Sequence, residues 1–261
     1  MRHLIVPAAA IVLLSAGTAA LADDVKQVPY PEVKVQIPEQ YKPDAAFAKL
    51  QKSLSDAVAG KNAEALFALV GPTFVWLQQD EIADQFDFGG DALQNFKVLF
   101  GFREVGKHVD GGVKDGPYWN DLAAFAANTK FQRASDTLVC GPMIAIAADQ
   151  DVFDQARQKI GADDSTEWYF TLGDTTVTAS PGGGATVGKV GQVALPLLDE
   201  YPQAREGSAQ APAITHRKVL LPSGKSGWIP VSAALLLTPD RLCFAMTASG
   251  DWKIAEFDQS E

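Results

Sequence analysis

From Asp44 onward apolar residues recur every three or four positions. Phe47, Leu50, Leu54, Ala57 and Val58 share one stripe, which predicts an amphipathic helix capped by Asp44 and stopped at Gly60. Asn62 opens a second, short helix through Leu66, Leu69 and Val70, with Gly71-Pro72 as its stop signal. Phe74 to Leu77 is an apolar run of strand length. Leu93, Phe96, Leu99 and Phe100 return to helical spacing, and Leu122 with Phe125 predicts a further helix from Tyr118 to Ala127. Extended segments follow at Thr137 to Cys140 and Met143 to Ile146, then a helix from Val152 to Lys159. Ahead of them all, residues 23–43 alternate at Val33, Val35 and Ile37 but carry Pro29, Pro31 and Pro38, so they predict an extended arm or an edge strand.

After the polar stretch Gly161 to Thr166 the period shortens to two. Strands are predicted at Trp168 to Leu172, Thr175 to Thr178, Val187 to Val190, Ala194 to Glu200, Arg217 to Leu221 and Gly227 to Pro230, with an insertion at Ser208 to Ala213. Short strands so closely spaced fit a small five- or six-stranded β-barrel over 166–240. Residues 241–261 read as one more hairpin around Ser249-Gly250-Asp251, which either extends the barrel or returns to the first unit. The fold class is therefore α+β, with a mixed helix and strand domain over 44–160 ahead of the barrel.

The strongest local signal runs from Lys218 to Pro230. Val219 and Leu221 alternate, Pro222-Ser223-Gly224-Lys225 supplies turn chemistry, and Gly227-Trp228-Ile229 starts the returning strand. With Thr176 to Gly182 upstream, this pattern resembles the bacterial SH3 (SH3b) domain, whose members usually carry V-R-x-x-P early and G-x-x-G-W-V late. The resemblance covers about a quarter of the chain. It implies an SH3-like module that binds cell-wall peptides, glycans or another envelope component through aromatic side chains. Two departures stand out: Thr178 occupies a place where Arg is common, and a long loop precedes Arg217. The amino-terminal half is similar to the α+β cone fold of the nuclear transport factor two type. That likeness rests on a long helix, Gly60-Lys61-Asn62, a short helix and Pro72-x-Phe74-x-Trp76. It implies a small-molecule pocket, for which Trp76, Phe86 and Phe100 are the candidate lining.

Composition narrows the partners. With 22 basic against 32 acidic residues and a net charge of −10, the chain is a poor match for nucleic acid or an anionic lipid surface. Arg2, the apolar run Leu4 to Leu14 and Ala20-Leu21-Ala22 fit a secretory signal over 1–22. The run is too short to stay in a membrane, and the expected product is periplasmic or secreted. Cys140 and Cys243 are the two cysteines, and in an oxidising compartment they are expected to form a disulfide. A pair of buried thiols is the alternative.

Signatures of chemistry are sparse. Beyond the leader the histidines are His108 and His216, far apart in polar surroundings. His-Glu-x-x-His, Cys-x-x-Cys and Gly-x-Ser-x-Gly are all absent from the sequence. No cofactor or metal is called for. Asp80, Glu81, Asp84, Asp87, Asp91, Asp149, Asp151 and Asp154 supply carboxylates, and a cell-wall hydrolase needs two across a cleft. Most acidic residues in such a chain serve as solvated surface or helix caps. Pro181 to Thr186 is glycine-rich but leads into a strand-like run without Gly-Lys-Ser or Gly-Lys-Thr, so it reads as a loop between strands and not as a phosphate cradle. Aromatic residues are the better binding apparatus. Trp228 stands where the resembled family packs its barrel, while Tyr201, His216 and Arg217 flank a loop. These four are the candidate ligand-binding residues of a non-catalytic module.

Overall fold

The computed structural model describes residues 25–78, 81–82, 91–102, 118–203 and 213–259. The proposed leader, Phe86, His108, Asp80, Asp84, Asp87 and most of the Ser208 to Ala213 insertion lie outside them. The chain starts with β1 (Val33–Gln36), α1 (Ala45–Ala59), α2 (Ala63–Phe67), β2 (Val70–Gln78), β3 (Glu81–Ile82), α3 (Ala92–Leu99) and α4 (Trp119–Ala127). Next come β4 (Gln132–Arg133), β5 (Leu138–Gly141), β6 (Ile146–Ala147), α5 (Gln150–Ile160), β7 (Trp168–Thr171), β8 (Thr175–Ser180) and β9 (Gly183–Val190). It closes with β10 (Val193–Tyr201), β11 (His216–Leu220), β12 (Ser226–Pro230), a 3-10 turn at Val231–Ala233, β13 (Ala234–Leu236), β14 (Arg241–Met246) and β15 (Trp252–Gln259). The fold is α+β. Among the described residues no helix is long and apolar enough to cross a membrane.

Two sheets organise these elements. The first has the order β3-β2-β15-β14-β5-β4, with β15 parallel to β2 and the other neighbours antiparallel. Helix α1 begins as its sequence predicts: the Asp44 carboxylate accepts the Phe47 amide at 2.7 Å, which fills one of the unpaired donors of the first turn. Its apolar stripe delivers Phe47, fully buried, to the sheet. There Phe47 meets the rings of Tyr41, Phe131, Phe244 and Trp252 edge to face, at centroid distances of 5.1 to 5.4 Å. Each such pair adds about 1 kcal/mol to the burial of apolar area. Leu66, Phe96 and Leu122 bring α2, α3 and α4 into the same core.

Cys140 and Cys243 face each other in register on β5 and β14 and form a disulfide, as expected from the sequence. Both are fully buried, and their separation of 103 residues encloses almost all of the second sheet. Closing so long a loop removes roughly 4 to 5 kcal/mol of unfolded-chain entropy in the loop-closure picture.

The second sheet follows the order β13-β7-β10-β11-β12-β8-β9, with β1 joined to β10 and β6. Five of the six strands predicted there appear within two residues of their expected bounds, and the sixth, β9, starts earlier. The expected closed barrel is not met. Strands β12 and β8 share one residue pair, Trp228 with Thr178, and β9 then runs along β8 through two register shifts. The path therefore ends at β9 instead of returning to β13, and the sheet is open. Bulges of this kind bend and twist a strand away from regular pairing.

The amino-terminal arm crosses both sheets. The Lys26 amide donates to Ile160 O, the Tyr30 amide to Pro222 O and the Tyr30 hydroxyl to Leu220 O at 2.8 Å. Val33 and Lys34 pair with β10, Val35 and Gln36 with β6, and the Tyr41 amide donates to Phe131 O. At the β11–β12 turn the arm passes so close that a Cβ on Gly224 would lie 2.7 Å from Pro29 N. Gly224 also has φ +80°, so the turn requires glycine twice over.

Candidate functional site

Strand register decides which of the candidate residues meet. On the second sheet, Val177, Leu197, Val219 and Ile229 point inward to an apolar cluster. Alternation then sends their neighbours outward. Tyr201 lies directly opposite His216, and His216 opposite Pro230; one pair along, Asp199 faces Lys218 and Lys218 faces Trp228. Tyr201, His216 and Trp228 thus share one outward face with Lys218 and Pro230. The rings of Tyr201 and Trp228 are 6.2 Å apart at 81°, edge to face. Tyr201 is 49 % exposed and Trp228 half-buried, so this Trp forms part of a surface and not of a core.

Arg217, the fourth candidate, is one residue out of phase and points the other way. Its guanidinium stacks 4.1 Å over the Tyr169 ring, and its Nε donates to Glu200 Oε1 at 3.2 Å. Burial pushes the Tyr169 hydroxyl above its usual range, with the Arg217 charge opposing. Arg217 is thereby committed to the inner side of the sheet. Alternation makes this legible: adjacent residues on one strand cannot both join a face.

His216 is held at both ring nitrogens. The Gly182 amide donates to Nε2 at 3.0 Å, while Nδ1 lies 3.0 Å from Thr215 Oγ1. Thr215 Oγ1 in turn donates to Tyr201 O at 3.2 Å, so its lone pair is what faces Nδ1. Only a neutral imidazole with its proton on Nδ1 satisfies both bonds. Gly182 belongs to the glycine-rich segment read as a loop, which forms the tip of the β8–β9 hairpin beside the Tyr201–Trp228 face.

The carboxylates expected for hydrolysis do other work where they are described. Asp91 accepts the Gln94 amide and Asp149 the Val152 amide, each capping a helix. Asp154 accepts from Gln150, and Asp151 is exposed in the first turn of α5. A different acidic pair lies on the first sheet. Glu256 is opposite Cys243, and Asp258, two residues on, is gripped by both Nε and Nη2 of Arg241. Desolvation, then the Asp258 charge, raises the Glu256 carboxyl above its usual range, against the opposing pull of Arg241. Sequence reasoning missed this pair, although its i, i+2 spacing on a predicted strand was visible. Cys140, Cys243 and Glu256 also cluster within 4.8 Å, but the disulfide occupies both sulfurs.

Of the proposed pocket residues in the first unit, Phe100 is buried in the helix–sheet core and Trp76 packs against it, with its indole N–H on Gln259 at 3.2 Å. A cavity of about 520 Å³ lies instead between α5 and β13, over Phe153, Trp168 and Leu236. Arg157 and Asp164 close one side of it through a 2.6 Å ion pair. None of the four candidate binding residues lines it. Comparison with family models, curated proteins and solved structures finds no match to this chain.

Proposed function

We propose that this is a non-catalytic binding or scaffold protein of the bacterial periplasm, which uses an SH3-like module around residues 168–237 to hold a cell-wall peptide, a glycan or an envelope protein. The observation that carries this reading is the outward aromatic face, where Tyr201 and Trp228 sit edge to face beside His216 and Lys218. Exposed aromatic rings next to polar tips suit ligands with alternating apolar and hydrogen-bonding surface, as sugars and short peptides have. The consecutive antiparallel strands β10, β11 and β12, followed by a 3-10 turn and β13 beside β7, support an SH3-like module that is open at one end.

A second reading, a cell-wall hydrolase anchored by this module, is favoured by the raised Glu256 next to the Arg241-bound Asp258. A partly buried carboxyl raised in this way is suited to act as a general acid. Cosedimentation with purified peptidoglycan, run beside a turbidity-clearing assay, separates the two. The protein is expected to pellet without clearing, and Tyr201→Ala or Trp228→Ala to weaken pelleting about tenfold, the loss of about 1.4 kcal/mol. Clearing that Glu256→Gln abolishes establishes the hydrolase. Pelleting indifferent to both aromatic substitutions removes the proposed face.

A further inference from the structure

The bond from Gly182 to His216 joins two elements that the sheet ladder leaves apart, the β8–β9 tip and β11. We infer that His216 is a proton-operated latch: neutral, it holds the tip against the Tyr201–Trp228 face, and protonated, it releases the tip. As regulation of that face, the inference rests on the binding reading proposed above; the latch itself rests on hydrogen-bond geometry alone.

Three bonds run in one direction through the site. The Gly182 N–H donates to Nε2, the Nδ1 proton goes to Thr215 Oγ1, and the Thr215 hydroxyl proton goes to Tyr201 O. Adding a proton to the ring places it on Nε2, which then points a donor at the Gly182 donor. The bond cannot survive that change. Turning the ring over does not rescue the bond, because both nitrogens of the protonated ring carry a hydrogen and neither can accept from Gly182.

The tip is built to respond. Gly182, Gly183 and Gly184 have φ of +75°, +154° and +97°, conformations that glycine alone adopts freely. Within the hairpin, Ser180 Oγ donates to Gly183 O at 2.9 Å, so the tip keeps its own turn when the latch opens. The release is therefore a hinge at the glycines and not an unfolding of the hairpin.

Few charged groups surround the His216 ring. On its own strand Lys218 shares its face, and Arg217 points to the reverse side, where Glu200 holds it. Strand β10 presents the Tyr201 phenol opposite the ring and Asp199 opposite Lys218. Strand β12 contributes Pro230 and Trp228, and the tip from Ser180 to Gly184 carries no charged group. One ammonium and one carboxylate thus flank the imidazole on the outward face.

Amide exchange and ring-nitrogen NMR on the full chain test the latch between about pH 8 and about pH 5, the span over which histidines change charge. At the upper end the ring is expected as the Nδ1–H tautomer. After correction for intrinsic rates, Gly182 exchange should accelerate about tenfold as His216 takes up its proton, the loss of one ordinary hydrogen bond. In His216→Gln, whose amide oxygen can accept without titrating, Gly182 exchange should be flat. An Nε2–H tautomer at high pH, or Gly182 exchange that ignores His216 protonation, overturns the latch. Peptidoglycan pelleting then tests the coupling through the ratio of low-pH to high-pH pelleting taken within each protein: a ratio that falls in the wild type but stays near one in His216→Gln supports it, and the same ratio in the two proteins overturns it. Absence of pelleting at every pH discards the binding reading, and the regulatory role with it, while the latch is still judged by the amide data.

Discussion

Glu256 carries a cost at neutral pH. Burial and the charge of Asp258 raise its carboxyl above the usual range, so between that usual value and the raised one the folded chain holds a proton that the unfolded chain has released. Stability therefore falls as pH rises through that window, and the penalty is complete above it. Glu256→Gln is expected to raise the melting temperature at pH 7 by a few degrees, with the gain vanishing at acid pH where both states are protonated. Calorimetry at a series of pH values checks this, and a lower melting temperature at pH 7 would refute it. Other single residues were readable in advance. Asp44 announced its cap by standing before an apolar stripe, whereas Asp149, equally a cap, stood among other acids and read as one of several candidate carboxylates. What separates them in the sequence is the clarity of the stripe that follows.

At the scale of elements, local pattern carried the helices and hairpins but not the pairing between distant strands. The second helix is shorter than its pattern predicts: α2 ends at Phe67, Val70 already opens β2, and Gly71-Pro72, read as the stop, lie inside that strand. A proline without an N–H is tolerated there because the register with β15 slips between Ile254 and Glu256, which leaves that part of β2 out of the regular ladder. Strands β6 and β13 are two and three residues long and owe their existence to partners far away in sequence, so no periodicity marks them. Gly141 shows the same dependence on distant packing. A Cβ there would lie 2.3 Å from Asn128 Nδ2 and 2.5 Å from the Phe131 ring. Gly141→Ala should accordingly cost about 1 to 3 kcal/mol, read as a lower urea midpoint with unchanged slope. An unchanged midpoint would mean that the β4–β5 hairpin and the α4–β4 connection can move apart freely.

The whole molecule is held by the arm as much as by either core. Proline content marked residues 23–43 as peripheral, but a strand can carry prolines at its flanks and still pair on both sides of its short middle, as β1 does with β10 and β6. Tyr30 is the arm's anchor: it is buried, its ring lies edge to face with Trp168 at 6.3 Å, and its hydroxyl reaches Leu220 O. Tyr30→Phe should remove about 1 kcal/mol of stability. Because the arm engages both sheets, far-ultraviolet dichroism and tryptophan fluorescence are expected to shift together in urea, and a shift in one signal alone would show the two sheets melting independently. The candidate face was legible in its residues and only in part in its geometry: Tyr201, His216 and Trp228 were chosen for chemistry, alternation parts the adjacent His216 and Arg217, and the pairing of β10, β11 and β12 reveals that Arg217 is the one on the reverse side.

The disulfide has a consequence for what proteolysis does to this molecule. It bridges the points where the chain leaves the first sheet and comes back to it. A protease that severs the backbone anywhere between those points therefore produces two fragments that cannot diffuse apart. Damage to the exposed hairpins leaves a nicked protein with its pieces still tethered, and a thiol reductant is needed before either piece can be shed.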